Sequence, residues 1–199
     1  MFPLPRPAKA PRERARVYLA GAIENAPDGG VEWRRDLARF LENDLRHEVL
    51  DPTVHECHRL TDEERRFFRH WKADPATWTR FQQVVRRIIH RDAELILQET
   101  DYIIAYWDEG VLGGGGTHGE LTLAFLHGIP VYLVLGLPRT QVSSWILGCC
   151  EEVFDSFEAL KSRLRTLQME GRLGPESPES GIGTRPESPP HPTPPREAR

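Results

Sequence analysis

The residues from Trp107 to Phe125, WDEGVLGGGGTHGELTLAF, set four consecutive glycines ahead of a Thr, a His and a Glu, then an apolar run. Glycines let a ligand approach the backbone and leave N–H groups to bind it, and a helix start favours an anion. Three readings are open: a phosphate cradle, a flexible connector, or a mount for the carboxylate of Glu120. Thr117 and Glu120 also have the spacing of a capping box, with Thr at the N-cap and Glu three residues on. Capping and catalysis are compatible, because a helix start favours a carboxylate in its first turn. Such a field keeps Glu120 ionised, which a nucleophile needs and a general acid does not.

Three further residues carry chemical potential. Asp92 lies eleven residues after Phe81 in TWTRFQQVVRRIIHRDAELILQE, close to three helical turns. It therefore shares a stripe with Phe81, Val85, Ile88 and Ile96. A carboxylate on an apolar stripe is costly unless paired or used. Pairing with Arg91 or His90 and a chemical role both stay open. Asp108 ends the run DYIIAYW, either as a binding residue or as the start of a turn, since WDEG is good turn chemistry. Tyr18 lies in RVYLAG, where a core tyrosine is the default. HECH, His55 to His58, gathers metal-ligating residue types, but its spacing fits no zinc pattern, and no metal or cofactor is assigned. Cys149 and Cys150 read as packing residues rather than nucleophiles.

The elements that must position these groups follow from periodicity. RVYLAG, HEVLDP, DYIIAYW and IPVYLVLG are short apolar runs stopped by Gly, Pro or polar residues, and read as strands. Between them lie helical patterns. GVEWRRDLARFLEND has Val31, Leu37, Phe40 and Leu41 at helical spacing. The segment around Asp92 places Phe81, Val85, Ile88, Ile89 and Ile96 on one side. GELTLAFLHG is closed by Gly128. EEVFDSFEALKSRLRTLQ reads as a last strand and helix. Strand and helix alternating in this way predict an α/β fold, a parallel sheet with helices on both faces. In such sheets ligands bind beyond the carboxyl ends of the strands. The loop after RVYLAG, the segment after Asp51 and the glycine stretch should meet there. Residues 53–78 break the rhythm and read as an insert or lid. Their Phe67, Phe68, Trp71 and Trp78 have two readings, stacking on a ligand or packing a small core of their own.

Composition bounds the rest. A chain of 199 residues suits one domain, spanning 15–170, with a tail at 1–14 and a Pro-rich tail at 171–199 that holds eight of the seventeen prolines. Both ends offer little apolar surface to offset the entropy of ordering, and are expected to be disordered. The net charge of −4 gives no footprint for polymeric nucleic acid. No run approaches the roughly eighteen apolar residues of a membrane span, and MFPLPRPAKAPRERAR has no apolar leader segment. Three cysteines make no disulfide framework, so a cytoplasmic protein is expected.

Four segments taken in order, VYLAGAIE, IIHRDAELILQETDYIIAYWD, GTHGELTLAFLHGIPVYLV and SSWILGCCEEVFDSFEAL, resemble the nucleoside 2-deoxyribosyltransferase superfamily. That superfamily includes nucleoside 5'-monophosphate N-glycosidases. The resemblance covers most of residues 16–165. It implies a flavodoxin-like (Rossmann-like) five-stranded parallel sheet and cleavage of an N-glycosidic bond in a (deoxy)nucleoside. The (deoxy)ribosyl group passes to another free base, or to water in the hydrolases. Glu120 falls on the family's nucleophile and Asp92 on an aspartate assisting base protonation or sugar placement. Tyr18 falls on a tyrosine orienting the glutamate, Gly21 on the glycine of the opening motif, and Asp108 near a further aspartate. The GGGG run departs from the family pattern, and the serine that holds phosphate in the monophosphate glycosidases is missing. Thr117, with the N–H groups of Gly115 and Gly116, is the candidate replacement. The loop is also similar to the PGGxGTxxE loop of cytokinin-activating phosphoribohydrolases, without its proline. Assembly into at least a dimer is a further implication. The competing class is a nucleotide-binding module without catalysis.

Overall fold

The computed structural model describes residues 3–7, 9, 12–57 and 60–174. Five strands, β1 (Arg16–Gly21), β2 (Glu48–Leu50), β3 (Tyr102–Trp107), β4 (Val131–Leu135) and β5 (Glu152–Phe154), form one sheet in the order β2-β1-β3-β4-β5. Every pairing is parallel. This is the flavodoxin-like order, in which the chain reverses direction across the sheet between β1 and β3. The central strands are buried along nearly their whole length, as parallel strands covered on both faces must be.

Side chains alternate between the two faces, and each face carries its own core. Tyr18, Ala20, Ile103, Ala105 and Trp107 point to one layer, packed by α4 (Trp78–Glu94), α6 (Gly116–Leu126) and α7 (Ser144–Cys149). Val17, Leu19, Tyr102, Ile104, Tyr132 and Val134 point to the other, packed by α1 (Val31–Asn43) and α8 (Phe157–Met169). The period of two decides which residues share a layer.

Several elements differ in detail from the sequence pattern. Val31 is exposed, and the inner stripe of α1 is Arg34, Leu37, Phe40 and Leu41. In α4, Val84 is buried and Ile89 exposed, so the seated stripe is rotated from the expected one. α4 runs on into a π-helical turn, Leu95–Glu99, which buries the consecutive Leu95 and Ile96. Thr100 Oγ1 donates to the Leu95 carbonyl at 3.0 Å and ends the turn. The insert is helical: α2 (Pro52–Cys57) and α3 (Asp62–Trp71), the latter opened by a capping box between Thr61 and Glu64. Phe68, Trp71 and Leu60 form a subsidiary core with Val84, Phe81, Val85 and Ile88 of α4, while Phe67 and Trp78 are exposed. A short helix, α5 (Glu109–Leu112), precedes the glycines.

In place of a free N-terminal tail, the described residues before β1 are tied down. The Leu4 amide donates to the Leu126 carbonyl at 2.7 Å. Asp101, buried at the amino end of β3, accepts from Lys9 Nζ at 2.9 Å, Arg12 Nη2 at 3.1 Å and the Arg16 amide at 2.8 Å. A buried carboxylate needs such donors, and hydrogen bonds to a charged group each contribute roughly 1.5–3 kcal/mol. At the other end, Leu173 is buried in the α1 and α8 core, so the domain extends past residue 170. The rest of the expected Pro-rich tail, 175–199, lies outside the described residues. Among the described residues no helix is long and apolar enough to cross a membrane.

His47 gives the fold a pH dependence. It is buried between the Tyr102 hydroxyl, 2.9 Å from Nδ1, and Gln168 Oε1, 3.0 Å from Nε2. The amide oxygen only accepts, so Nε2 carries the proton and Nδ1 accepts from the tyrosine. Burial pushes its pKa down, against an opposing pull from Gln168. The unfolded histidine therefore takes up its proton first as pH falls, and stability is lost below about pH 6.5. Urea midpoints should fall between about pH 7.5 and about pH 5.5 more steeply in the wild type than in His47→Gln. Equal slopes would remove His47 from the acid response.

Candidate functional site

On β1, Tyr18 meets Glu120 of α6, and the charge of Asp92 acts on the same hydroxyl. Tyr18 is fully buried, and its Oη donates to Glu120 Oε1 at 2.7 Å across 102 residues of chain. The geometry follows from the sheet: Tyr18 points to the layer of α4 and α6, and Glu120 faces back from α6. Burial pushes the Tyr18 pKa well above its ordinary value, and the negative charges of Glu120 and Asp92 raise it further. The hydroxyl thus stays a donor at any working pH. Asp92, on α4, is partly buried with Oδ1 sealed from solvent, and contributes to the field at Tyr18.

The capping-box reading of Thr117 and Glu120 is corrected. α6 begins at Gly116, with Gly115 at the N-cap and no side-chain cap hydrogen bond. Thr117 is the second residue of the helix, buried, and Glu120 is the fifth. Glu120 therefore lies beyond the first turn, and its Oε1 accepts from Tyr18. The glycines allow the earlier start: with no side chain to place, the chain enters the helix ahead of the threonine.

The three segments expected to converge at the carboxyl ends do so. Asn25, in the loop between β1 and α1, donates from Nδ2 to the Gly110 carbonyl at 3.4 Å. Asp51, after β2, reaches Arg34 Nε at 3.8 Å. Asp108 stands at the N-cap of α5. It follows Trp107 on β3, so it shares a face with Tyr106 and lines a groove of about 520 Å³ with Trp33, Tyr106 and Phe157. Its Oδ1 is buried without a hydrogen-bond partner among the described residues. His118 packs edge-on against Trp107, ring centroids 4.8 Å apart. The side chains of His55 to His58 lie outside the described residues, and among the described residues no cluster of metal-ligating side chains occurs. Cys149 and Cys150 are drawn into the core, and burial raises both thiol pKa values, Cys150 to about 12.

No protein-family model matches the chain, and no curated protein matches it. Among solved structures it is similar to a CMP N-glycosidase from Clostridium botulinum, at 21% identity. That match covers 75% of this chain and 98% of the other, with a TM-score of 0.42. The chemistry of the site rests on its own residues.

Sequence patterning missed Arg34. It is fully buried at the carboxyl end of β1, bound to the carbonyls of Leu19, Gly21, Ala22 and Gly30. Its signal was its place on the apolar stripe with Leu37 and Leu41, three and seven residues on.

The glycines divide by physical duty. A Cβ on Gly21 would come 2.9 Å from Trp33 Cζ2, and one on Gly110 2.8 Å from Ala22 Cβ. A Cβ on Gly115 or Gly116 meets no described atom within 4 Å. Gly21 and Gly110 are thus required by packing, whereas Gly115 and Gly116 leave open space before α6. Gly21→Ala and Gly110→Ala should each lose about 1–3 kcal/mol in urea unfolding, the range for overpacking. Gly116→Ala, inside α6, should hold or raise stability by up to about 1 kcal/mol, whereas Gly115→Ala, at the N-cap, should meet no clash and change it little. The reverse pattern would mean that the space before α6 is closed.

Proposed function

We propose that the chain cleaves the N-glycosidic bond of a nucleoside or nucleotide, with Glu120 as the nucleophile. One observation carries this reading: the carboxylate of Glu120 is held by the hydroxyl of a fully buried tyrosine instead of capping its own helix. A surface cap needs no such partner, and a fixed, ionised carboxylate is what attack at an anomeric carbon requires. The arrangement agrees with the roles that the family resemblance implies for Tyr18, Asp92 and Glu120. The open space at Gly115 and Gly116 gives room for the sugar or its 5' substituent.

The reaction proceeds as a double displacement with retention. A Glu120 oxygen attacks the anomeric carbon through an oxocarbenium-like transition state, and the bond to the base nitrogen breaks. Asp92, or an acid it orients, delivers a proton to the leaving base. The glycosyl ester on Glu120 is then opened by a second base or by water, which loses a proton and restores the carboxylate. The tyrosine hydrogen bond holds the carboxylate in place as its charge is spent and recovered. Transfer to a base makes the chain a glycosyltransferase; transfer to water makes it a hydrolase.

Nucleosides, deoxynucleosides and their 5'-monophosphates, each incubated with and without a second free base, test the reading by chromatography. Base release is expected, with an exchanged product if a base is the acceptor and free sugar if water is. Glu120→Gln should lower the rate at least about a thousandfold while retaining the fold. A 2-deoxy-2-fluoro nucleoside, which slows the second step, should leave its glycosyl mass on the peptide containing Glu120. Binding of nucleotides with no release from any of them would leave a binding module.

A further inference from the structure

Arg34 occupies a position that packing alone does not explain. It lies on the inner stripe of α1 between apolar neighbours and has no exposed surface. A buried guanidinium is ordinarily neutralised by a carboxylate at hydrogen-bond distance. Here the nearest acid, Asp51, stands 3.8 Å from Nε. The donors go to backbone carbonyls instead: Nε to Leu19 at 3.2 Å, Nη2 to Gly21 at 2.9 Å, and Nη1 to both Ala22 at 3.3 Å and Gly30 at 2.8 Å. The Trp33 ring covers one face, with its centroid 4.5 Å from Cζ. The cation is solvated by dipoles more than it is neutralised, so its field extends into the protein.

Two routes lead from this cation to Glu120. The first is mechanical. Nη1 bridges the carbonyls of Ala22 and Gly30, which are the two ends of the loop between β1 and α1. Gly30 is required there, because a Cβ would stand 2.2 Å from both the Ala22 carbonyl oxygen and Nη1, and its φ is +73°. The stapled loop presents Asn25 to Gly110, at the head of the glycine stretch that leads into α6. The second route is electrostatic. Leu19, whose carbonyl binds Nε, follows Tyr18, and the charge of Arg34 acts on the Tyr18 hydroxyl and is itself favoured by Asp51 and Glu120.

We propose that Arg34 is the positioning residue of the site: it staples the loop after β1 and supplies the positive charge behind the Tyr18–Glu120 pair. This rests on the reading of Glu120 as nucleophile. A tyrosine hydrogen bond fixes the carboxylate but brings no charge. Arg34 supplies its positive charge from behind β1, through the backbone that carries Tyr18. Other groups that the elements around α6 bring to this layer are Arg91, buried on α4 beside Asp92, the thiols of Cys149 and Cys150 on α7, and His118 on α6 itself. Both thiols are kept neutral by burial, which leaves Arg91 as the rival cation.

The test reads the Glu120 carboxyl directly. Carbon-13 NMR of side-chain-labelled glutamate, assigned by loss of the signal in Glu120→Gln, gives its titration midpoint without reference to turnover. Arg34→Gln should raise that midpoint by about one unit or more, the effect of losing one nearby opposite charge. Asp51→Asn, which leaves Arg34 and its carbonyls in place, should lower it by removing the counter-charge. The acidic limb of the pH profile of base release should move with the midpoint in both variants, which a purely structural role would not produce. An unchanged midpoint in both variants, or a shift in Arg91→Gln alone, overturns the proposal. If Arg34→Gln does not fold, Asp51→Asn decides by the presence or absence of the downward shift. Shifted midpoints in a protein that releases no base would uphold the charge coupling and sink the glycosidic reading instead.

Discussion

The hydroxyl of a fully buried tyrosine must find an acceptor, because leaving it unpaired costs about 1–3 kcal/mol. At Tyr18 that acceptor is Glu120, 102 residues away along the chain. The bond joins the central strand to α6, so the position of that helix on the sheet is tied to the position of its carboxylate. The glycines ahead of the helix, the early helix start and the displacement of Thr117 from the cap are all consistent with this tie. Glu120 is turned towards the sheet, where a capping glutamate would turn back on its own helix.

Charge in this region is unevenly distributed. Glu120 and Asp92 act on Tyr18 from the α4 and α6 layer, and Asp51 stands at the edge of β2. Arg34 answers them from the opposite layer, through the end of β1. Its hydrogen bonds go to carbonyls of β1 and of both ends of the loop that follows it, which need donors once buried. A single side chain thereby satisfies carbonyls of the strand and of the loop that follows it. Lysine would lack the planar fork that reaches several carbonyls at once.

The peripheral segments are anchored by separate small devices. The insert packs its own apolar contacts on α4 and adds ion pairs from Arg80 to Glu63 and from Arg87 to Glu64. Lys72 at its end lies 3.8 Å from Glu24 in the loop after β1. The segment before β1 is held by Asp101 at the opposite, amino end of the strands. Loop and insert thus meet at the carboxyl ends, while the N-terminal segment braces the far end.

Local patterning was enough for the strands, for the main helices and for the parallel sheet, because runs of apolar residues and their periods are written within a few turns of chain. It was also enough to single out Tyr18, Asp92, Asp108 and Glu120 as chemical types. It left four matters to tertiary structure. A strand's two faces are equivalent until helices cover them, so only packing decided that Tyr18 meets Glu120. The same alternation, one residue past Trp107, set Asp108 in the groove beside Tyr106. The capping box had the right letters at the right spacing, but a helix start is chosen by where the whole helix seats, and α6 starts one residue ahead of the threonine, at Gly116. Arg34 was visible as a charge on an apolar stripe, yet its meaning depended on carbonyls from a strand and a loop that only the folded chain brings around it.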